Sequence, residues 1–317
     1  LADKLPESPL STLRSGGCEI QMDPSLAKEA LVQALAEFDP EVLVVRSTRV
    51  EREHMEAAGR LRLIVRAGAG FNTIDLPAAS SRGIYVANCP GKNATAVAEL
   101  AWGHILNADR RIADGVADLR AGQWRKKHYA KAAGIYGRTL GVLGCGSIGR
   151  EVIARGKAFG MNILIWASEA SRDRAAADGY KVAASKQDFF ASCDVLSLHL
   201  RLYPATQGIV TADDLAHMKP TALLVNTSRA PLIEPGALVA ALRVGRPSMA
   251  AVDVYEDEPM LDTDHPLLAM DNVVCTPHIG YVTREDYEIQ FGEIFEQIVA
   301  YGAGAPINVI NPEVLGK

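Results

Sequence analysis

A glycine-rich turn at residues 144–149 constrains the fold of this chain more than any other feature of its sequence. The turn has the pattern G-x-G-x-x-G, follows the strand-like apolar run Thr139–Leu143, and opens the helical pattern Ser147–Phe159. Another strand-like run, Asn162–Trp166, comes next. Glycines at this spacing let a strand turn sharply into a helix that packs closely against it. The segment therefore predicts a β-α-β unit with parallel strands, the building block of an α/β fold.

The same alternation of strands and helices continues to residue 280 and also precedes residue 139. Strands joined by helices over 139–280 predict a doubly wound parallel sheet, whose remaining strands are Asp194–His199, Thr221–Asn226, Met249–Val254 and Asn272–Cys275. Its further helices are predicted at Ala212–Met218 and Pro235–Val244. The N-terminal segment predicts strands at Glu41–Arg46, Leu61–Arg66 and Gly83–Ala87, and helices at Pro24–Phe38, Val50–Ala58 and Asp75–Ser81.

Two helical patterns suggest how these series are connected. One long helix is predicted over Thr95–Ala121, between the two series, and another over Arg284–Tyr301, before a proline-bearing tail. We expect that tail to pack back on the N-terminal segment. The prediction is a discontinuous domain of residues 1–97 and 286–317, with residues 98–285 inserted as a second domain. A chain of 317 residues is long enough for two domains with separate cores.

The composition indicates a soluble globular protein. Hydrophobic residues make up 48% of the chain, and the net charge of -5 gives no electrostatic reason to expect nucleic acid or an anionic membrane as a partner. No apolar run is long enough to span a bilayer, and the first residues lack the layout of a signal peptide. The five cysteines are widely spaced and form no C-x-x-C pair, so no disulfide framework and no metal site are predicted. The expected location is cytoplasmic.

The glycine turn predicts a site for a dinucleotide. Gly144 permits the tight turn, Gly146 lets the backbone approach a pyrophosphate, and Gly149 lets the helix pack on the strand. The helix begins at Ser147 and Ile148, where free amide groups and the helix dipole favour phosphate. This spacing, between a strand and a helix, is typical of NAD and NADP sites.

The residues after the next strand bear on the choice between NAD and NADP. An acidic side chain is expected there to bind the ribose hydroxyls, but Ala167 and Ser168 occupy the position and Glu169 follows. Arg172 and Arg174 come soon after and could serve a 2′-phosphate. Glu169 favours NAD, which is the predicted cofactor, and the arginines leave NADP open.

Three chemically useful side chains follow strands of the second series. Arg229 and His278 lie just beyond predicted strands, and Glu258 lies four residues beyond another. Because ligands bind at the carboxyl ends of parallel strands, we expect the three to meet in one crevice. An arginine binds a carboxylate through two parallel hydrogen bonds, and a histidine, with an ordinary pKa of about 6.5, exchanges protons near neutral pH. This set suits a 2-oxo acid, which takes a hydride at its carbonyl carbon and a proton at its oxygen.

Taken in order, the glycine turn, Asn226-x-x-Arg229, Glu258-Pro259 and Pro277-His278-x-Gly280 resemble the D-isomer-specific 2-hydroxyacid dehydrogenases over nearly the whole chain. The resemblance implies that Arg229 binds substrate, that His278 is the acid/base, and that Glu258 is its partner. It implies two doubly wound α/β domains, a Rossmann coenzyme domain inserted into a flavodoxin-like substrate domain. It also implies a homodimer formed through residues 95–123, and further cofactor contacts from Ser168, His199, Thr227 and Asp253.

Within that family the stretches 44–48, 66–70 and 137–151 look most like phosphoglycerate dehydrogenases. In those relatives an arginine at the place of Arg46 binds the anionic end of the substrate, and a glycine-rich loop approaches its carboxylate. The substrate residues implied are Arg46, Ser47, Ala69 and Gly70. Two features depart from the pattern: His199-Leu200-Arg201 replaces a His-x-Pro phrase, and Tyr281 stands where a small residue is usual.

Other activities remain open on the sequence. The leading prediction is oxidation or reduction of a D-2-hydroxy or 2-oxo acid, with 3-phosphoglycerate as the first candidate and glyoxylate or hydroxypyruvate as the alternative. A second alternative is a non-catalytic protein of the same fold that senses the dinucleotide, like the transcriptional corepressors of this family. Formate dehydrogenases pair the histidine with glutamine, so Glu258 argues against that activity.

Overall fold

The strands and helices belong to two units in the computed structural model, which describes residues 7–26, 28–46, 48–90, 92–129 and 133–314. One unit comprises Leu1–Lys92 and Thr283–Lys317, and the other comprises Asn93–Val282. The sequence analysis places the inserted domain at 98–285, and the division into substrate and coenzyme domains stays a prediction. Ser47, one of the expected substrate residues, lies outside the described residues.

The first unit contains a small parallel sheet. In its described part the sheet has three strands in the order β1-β2-β3, which are β1 (Val42–Val45), β2 (Leu63–Arg66) and β3 (Tyr85–Asn88). Its N-terminal helices are α1 (Glu7–Ser15), α2 (Glu29–Phe38), α3 (Arg52–Ala57) and α4 (Leu76–Ser81). Val45, Arg66 and Asn88 stand in register at the carboxyl ends of the strands. The segments that follow the strands therefore start side by side.

The second unit contains the larger sheet. Its helices before the sheet are α5 (Ala94–Arg110) and α6 (Ile112–Arg120). The sheet and its crossover helices follow as β4 (Thr139–Leu143), α7 (Ser147–Ala158), β5 (Asn162–Trp166), α8 (Glu169–Ala177), α9 (Lys186–Ser192), β6 (Val195–Leu198), α10 (Ala212–His217), β7 (Leu223–Asn226), α11 (Ala237–Arg243), β8 (Met249–Val252) and β9 (Val273–Cys275). Within the described residues, the strand order is β5-β4-β6-β7-β8-β9 and every pair is parallel. The predicted doubly wound α/β fold is confirmed.

Apolar side chains cover both faces of this sheet. Leu140 and Val142 of β4 pack with Trp102 of α5 in one cluster. Leu143 of the same strand belongs to a cluster on the other face, with Phe189 of α9. Strands buried on both faces must be apolar at nearly every position, as parallel sheets usually are. That requirement explains why the strands were visible as continuous apolar runs.

The long helix predicted over Thr95–Ala121 is wrong, because the structure breaks it at Arg111. That residue has φ 52°, a left-handed conformation that ends α5, and its N–H donates to the carbonyl oxygen of Asn107. Its guanidinium also pairs with the Asp114 carboxylate of α6. Local hydrogen bonds of this kind leave little trace in the apolar periodicity. The sequence analysis also missed α8 and α9 and began α2 five residues too early, at Pro24 instead of Glu29.

The C-terminal segment returns to the first unit. Helix α12 (Arg284–Gly302) packs Phe291 and Ile294 in one apolar cluster with Val65 of β2. Gln297 of this helix donates to the carbonyl oxygen of Asn88 at 3.0 Å. None of the helices in the described ranges is both long and apolar enough to cross a membrane.

Candidate active site

The common register of the larger sheet brings five loop starts to one edge. Leu143, Leu198, Asn226, Val252 and Cys275 are paired across neighbouring strands. The residues that immediately follow them are Gly144, His199, Thr227, Asp253 and Thr276. Four of these five (all but Thr276) are residues that the sequence analysis expected to contact the cofactor. This edge of the second unit is therefore the candidate site.

The geometry of the glycine turn fits a bound pyrophosphate. Gly144 has φ 103°, and a Cβ there would overlap the carbonyl oxygen of His199. A Cβ at Gly149, in the first turn of α7, would overlap the carbonyl oxygen of Gly144. At Gly146, in contrast, an added Cβ would meet no heavy atom within 4 Å. The outer glycines are thus needed for the fold itself, while the middle one opens onto free space at the start of the helix that Ser147 and Ile148 begin.

Two buried polar atoms at the same edge of the sheet have no hydrogen-bond partner in the described structure. They are Nδ1 of His199 and Oγ1 of Thr227. Burial lowers the pKa of His199 to about 4, so its ring is neutral, and its Nε2 lies 2.8 Å from the Ser197 hydroxyl. Buried polar groups in native proteins nearly always have a partner, from protein, water or ligand. Two such atoms at the edge that carries the glycine turn fit the polar groups of a dinucleotide.

The segment after β5, where the sequence analysis expected the ribose, carries hydroxyl and guanidinium groups. Ser168, the residue before α8, is exposed, and its hydroxyl donates to that of Ser171 at 3.1 Å. Arg174 donates to the same Ser171 oxygen at 2.9 Å, and the Arg172 guanidinium lies over the Trp166 ring, 4.1 Å from its centre. Of the two arginines that the sequence analysis noted, Arg174 is thus held by a hydrogen bond and Arg172 by an aromatic ring.

Asp253 holds the loop that follows β9. Its Oδ1 accepts from the Thr276 hydroxyl at 2.5 Å and from the Ile279 N–H at 2.9 Å. Its Oδ2 accepts from the Gly280 N–H at 2.8 Å. The side chain is completely buried. The structure therefore gives Asp253 a loop-holding role that the sequence did not indicate.

His278 and Glu258 form a direct pair. Nδ1 of His278 lies 2.5 Å from Oε2 of Glu258, while Oε1 of Glu258 accepts from the Tyr255 N–H at 2.9 Å. Burial by itself would raise the pKa of Glu258, but the hydrogen bond and charge of His278, followed by the Tyr255 N–H and Arg229, lower it overall. The carboxylate therefore stays ionised, and Nδ1 is the ring nitrogen of His278 that it contacts.

Arg229 is held by its own turn. The Asn226 side chain accepts from the Ser228 N–H at 3.0 Å and donates to the carbonyl oxygen of Arg229 at 2.9 Å. Burial lowers the pKa of the Arg229 guanidinium, while the charges of Glu258 and Tyr281 oppose that effect. An arginine remains protonated even so. The Glu258 carboxylate thus acts electrostatically on Arg229 and contacts His278 directly.

Tyr281 is a further aromatic neighbour of the histidine. Its ring meets that of His278 edge to face, with centres 5.5 Å apart and planes at 79°. The phenol therefore limits the space beside the imidazole. The departure from the small residue usual in the family thus falls next to the candidate acid/base.

In the first unit, two arginines and a short loop follow the strands. Arg46 comes directly after β1, donates to the Tyr287 hydroxyl at 2.8 Å, and lies over that ring. Arg66 ends β2 and donates to the carbonyl oxygen of Ala67 at 3.0 Å. Gly68 has φ 126°, and any Cβ there would overlap the Arg66 guanidinium. The Asn88 side chain donates to the carbonyl oxygen of Ala69 at 2.8 Å, which fixes the loop that continues to Gly70.

Arg66 was missed as a candidate side chain, although its loop was noted. The signal was present, because Arg46 and Arg66 both come at the ends of neighbouring apolar runs. The described residues contain no group of three or more His, Cys, Asp or Glu side chains placed to hold a metal ion.

Comparison with known proteins identifies the family of the chain. The family model described as "D-isomer specific 2-hydroxyacid dehydrogenase, NAD binding domain" matches residues 102–280. A D-3-phosphoglycerate dehydrogenase from Methanocaldococcus jannaschii is 39% identical over 100% of this chain and 61% of its own length. A glyoxylate reductase from Aeropyrum pernix is 37% identical over 90% of this chain and 87% of its own length.

Solved structures extend the similarity to the fold. A phosphoglycerate oxidoreductase from Vibrio cholerae O395 superposes with a TM-score of 0.80 and 43% identity, covering 90% of each chain. The chain spans about three fifths of the phosphoglycerate dehydrogenases from Methanocaldococcus jannaschii and Archaeoglobus fulgidus, at 61% and 58% of their lengths. The family resemblance seen in the sequence motifs is confirmed.

The glycine turn generates a test that separates folding from binding. Gly146→Ala should leave the melting temperature nearly unchanged, because the added Cβ meets open space. It should weaken dinucleotide binding at least about tenfold, because the methyl group occupies the approach of the phosphates. Titration calorimetry with NADH and a thermal melt measure the two effects. Gly149→Ala is the matched control: it should lower the melting temperature, and unchanged NADH affinity in Gly146→Ala would contradict the assignment.

Proposed function

Because the chain belongs to the D-isomer-specific 2-hydroxyacid dehydrogenase family, we propose that it transfers a hydride between a nicotinamide dinucleotide and a D-2-hydroxy or 2-oxo acid. The His278–Glu258 pair is the observation that carries the proposal, since it provides a proton donor in the unit that also contains the glycine turn. General acid–base catalysis of this kind contributes about 10²–10⁴-fold to a reaction rate.

Each proposed catalytic residue has one task. Arg229 binds the substrate carboxylate through its guanidinium and polarises the neighbouring carbonyl. His278 gives a proton from Nε2 to the carbonyl oxygen in reduction and takes it back in oxidation, while Glu258 orients the ring through Nδ1. The reduced nicotinamide, when bound, supplies the hydride.

The cofactor contacts proposed here are those of the candidate edge. Gly144, Gly146 and Gly149, with the amides of Ser147 and Ile148, would hold the pyrophosphate. The unpartnered atoms of His199 and Thr227 would meet polar groups of the same molecule. Asp253 would act mainly by holding the His278 loop, and Ser168 by binding the ribose. NAD is the proposed cofactor, and the arginines beside Ser168 require that NADPH be tested in parallel.

For the substrate we propose 3-phosphoglycerate, or 3-phosphohydroxypyruvate in the reverse direction. Arg46 and Arg66 support this choice, because two guanidinium groups at neighbouring strand ends suit a second, doubly charged anionic group. Ala69, Gly70 and Ser47 are proposed to line the substrate site through the family resemblance. Glyoxylate or hydroxypyruvate is the alternative, favoured by the similarity to glyoxylate reductases and by the bulk of Tyr281 beside His278.

A homodimer is proposed through the region 95–123. Helix α6 has no buried residue, yet it exposes Ile112, Val116 and Leu119 at helical spacing, by 52%, 41% and 59%. Apolar side chains aligned on one exposed helix face are typical of a protein interface.

The proposed location is cytoplasmic, which fits five cysteines that are all free thiols.

Nicotinamide absorbance with purified protein tests the activity. NADH and NADPH are compared on 3-phosphohydroxypyruvate, hydroxypyruvate, glyoxylate, pyruvate and longer 2-oxo acids. His278→Ala should lower kcat by two to four orders of magnitude (roughly 10²–10⁴-fold), because the proton donor is lost, and leave dinucleotide affinity nearly unchanged. If wild type turns over none of these acids but binds the dinucleotide tightly, the enzyme assignment fails and the dinucleotide-sensing alternative gains support.

Substitution of the two strand-end arginines tests the substrate. Arg46→Ala and Arg66→Ala should each lower kcat/KM for 3-phosphohydroxypyruvate by about tenfold to hundredfold, the value of a hydrogen bond to a charged group. For hydroxypyruvate, which lacks the phosphate, kcat/KM should fall by less than about threefold. Arg62→Ala is the control, because that arginine donates to Gly59 and Leu61 at the opposite end of β2. Equal losses on both acids would assign the arginines to the fold.

Light scattering after size exclusion tests the dimer. Leu119→Glu should raise the dimer dissociation constant at least about tenfold, because a charge would be buried at the interface. Val244→Glu is the control, since Val244 is 79% exposed just beyond α11, far along the chain from α6. A wild-type monomer at micromolar concentration, or a dimer insensitive to Leu119→Glu, would rule out this interface.

A further inference from the structure

A buried histidine on helix α5 is hydrogen-bonded to the loop that carries His278. His104 is 2% exposed, and its Nε2 lies 3.0 Å from the hydroxyl oxygen of Thr276. It belongs to the buried face of α5, together with Ala101 and Ala108. A polar ring at a core-facing position costs free energy unless it is hydrogen-bonded. The position of His104 in the core is therefore explained by its hydrogen bond to Thr276 as well as by the volume it fills.

The directions of the hydrogen bonds follow from the donors available. The Thr276 hydroxyl has one proton, and it donates to Oδ1 of Asp253 at 2.5 Å, since a carboxylate only accepts. Its oxygen must then accept from His104, so the ring carries a proton on Nε2. Burial lowers the pKa of His104, against the opposing charge of Asp253, and the ring is neutral. His104 therefore donates to Thr276, and Thr276 donates to Asp253.

The same carboxylate binds the backbone on the far side of His278. Its two oxygens accept from the N–H groups of Ile279 and Gly280, the residues that follow the histidine. His278 itself has φ 52°, in the left-handed region that non-glycine residues rarely adopt. A Cβ added at Gly280 would stand only 3.2 Å from Asp253 Oδ2 and 3.6 Å from Val97 of α5. The loop is thus closely fitted to Asp253 and to the helix that carries His104.

We propose that His104 is a positioning residue for His278, acting through Thr276 and Asp253. By donating to the Thr276 oxygen, His104 orients the Thr276 hydroxyl toward Asp253. Both carboxylate oxygens of Asp253 then stay in position to accept from the N–H groups of Ile279 and Gly280. Its effect on turnover rests on the function proposed above, whereas its effect on the loop does not. The competing explanation is a core histidine that only fills space.

Amide hydrogen exchange of the complete protein tests the loop directly. In His104→Leu, which keeps an apolar side chain in the core and removes the donor, the N–H groups of Ile279 and Gly280 should exchange at least about tenfold faster. His104→Gln keeps a donating amide and should stay within about threefold of wild type. Thr276→Val interrupts the same chain one link later and should match His104→Leu, so the test survives if the leucine variant does not fold.

Kinetics then test the consequence for catalysis. In His104→Leu, kcat should fall about tenfold to hundredfold, because a small displacement of a catalytic group has an effect of that size. KM and dinucleotide affinity should change by less than about threefold, and His104→Gln should recover most of kcat. His54→Leu is the matched control: His54 is 3% exposed, belongs to the first unit, and accepts at Nδ1 from the Glu51 N–H.

The outcomes separate this proposal from the proposed function. Unchanged exchange at residues 279 and 280 in both His104→Leu and Thr276→Val overturns the positioning role. Equal losses in His104→Leu and His104→Gln also overturn it, because they would show that ring volume matters and the donor does not. A wild-type protein without turnover on any 2-oxo acid, but with faster exchange in the variants, overturns only the enzymatic assignment.

Discussion

The alignment of strand ends in the larger sheet is the constraint on which the candidate site depends. Parallel pairing fixes Leu143, Leu198, Asn226, Val252 and Cys275 in one row. A shift of one residue in any pair would turn each side chain of that strand to the opposite face, where it would meet a cluster packed for other side chains. The two apolar clusters that cover the faces therefore fix the register. The polar residues after the strands are thus positioned by apolar packing in which they take no part.

The backbone of the His278 loop adds a second requirement. A left-handed conformation costs a residue with a side chain roughly 1–2 kcal/mol, so the surroundings must offset it. Asp253 does so with hydrogen bonds to Thr276, Ile279 and Gly280, all within 2.9 Å. A buried carboxylate needs such donors for its own stability. The conformation of His278 and the burial of Asp253 therefore depend on each other.

The sequence predicted the features that depend on local pattern. Strands buried on both faces appear as apolar runs, and Arg229, Glu258 and His278 could be found because each follows such a run. Contacts between distant segments were less visible. His104 and Thr276 are 172 positions apart, and in the sequence that histidine is indistinguishable from any packed core residue. The break of the long helix at Arg111 was missed because a left-handed residue other than glycine has no clear signal.

Three histidines of the second unit differ in role because their surroundings differ. His199 and His104 are buried, and burial lowers the pKa of both, so each is a neutral ring with hydroxyl neighbours. His278 is partly exposed, and its Nδ1 lies 2.5 Å from Oε2 of the Glu258 carboxylate. A neutral buried ring is suited to orient a neighbour, and a ring paired with a carboxylate is suited to carry a proton. The environment, more than the residue type, therefore decides which histidine suits the proposed acid/base role and which suits the proposed positioning role.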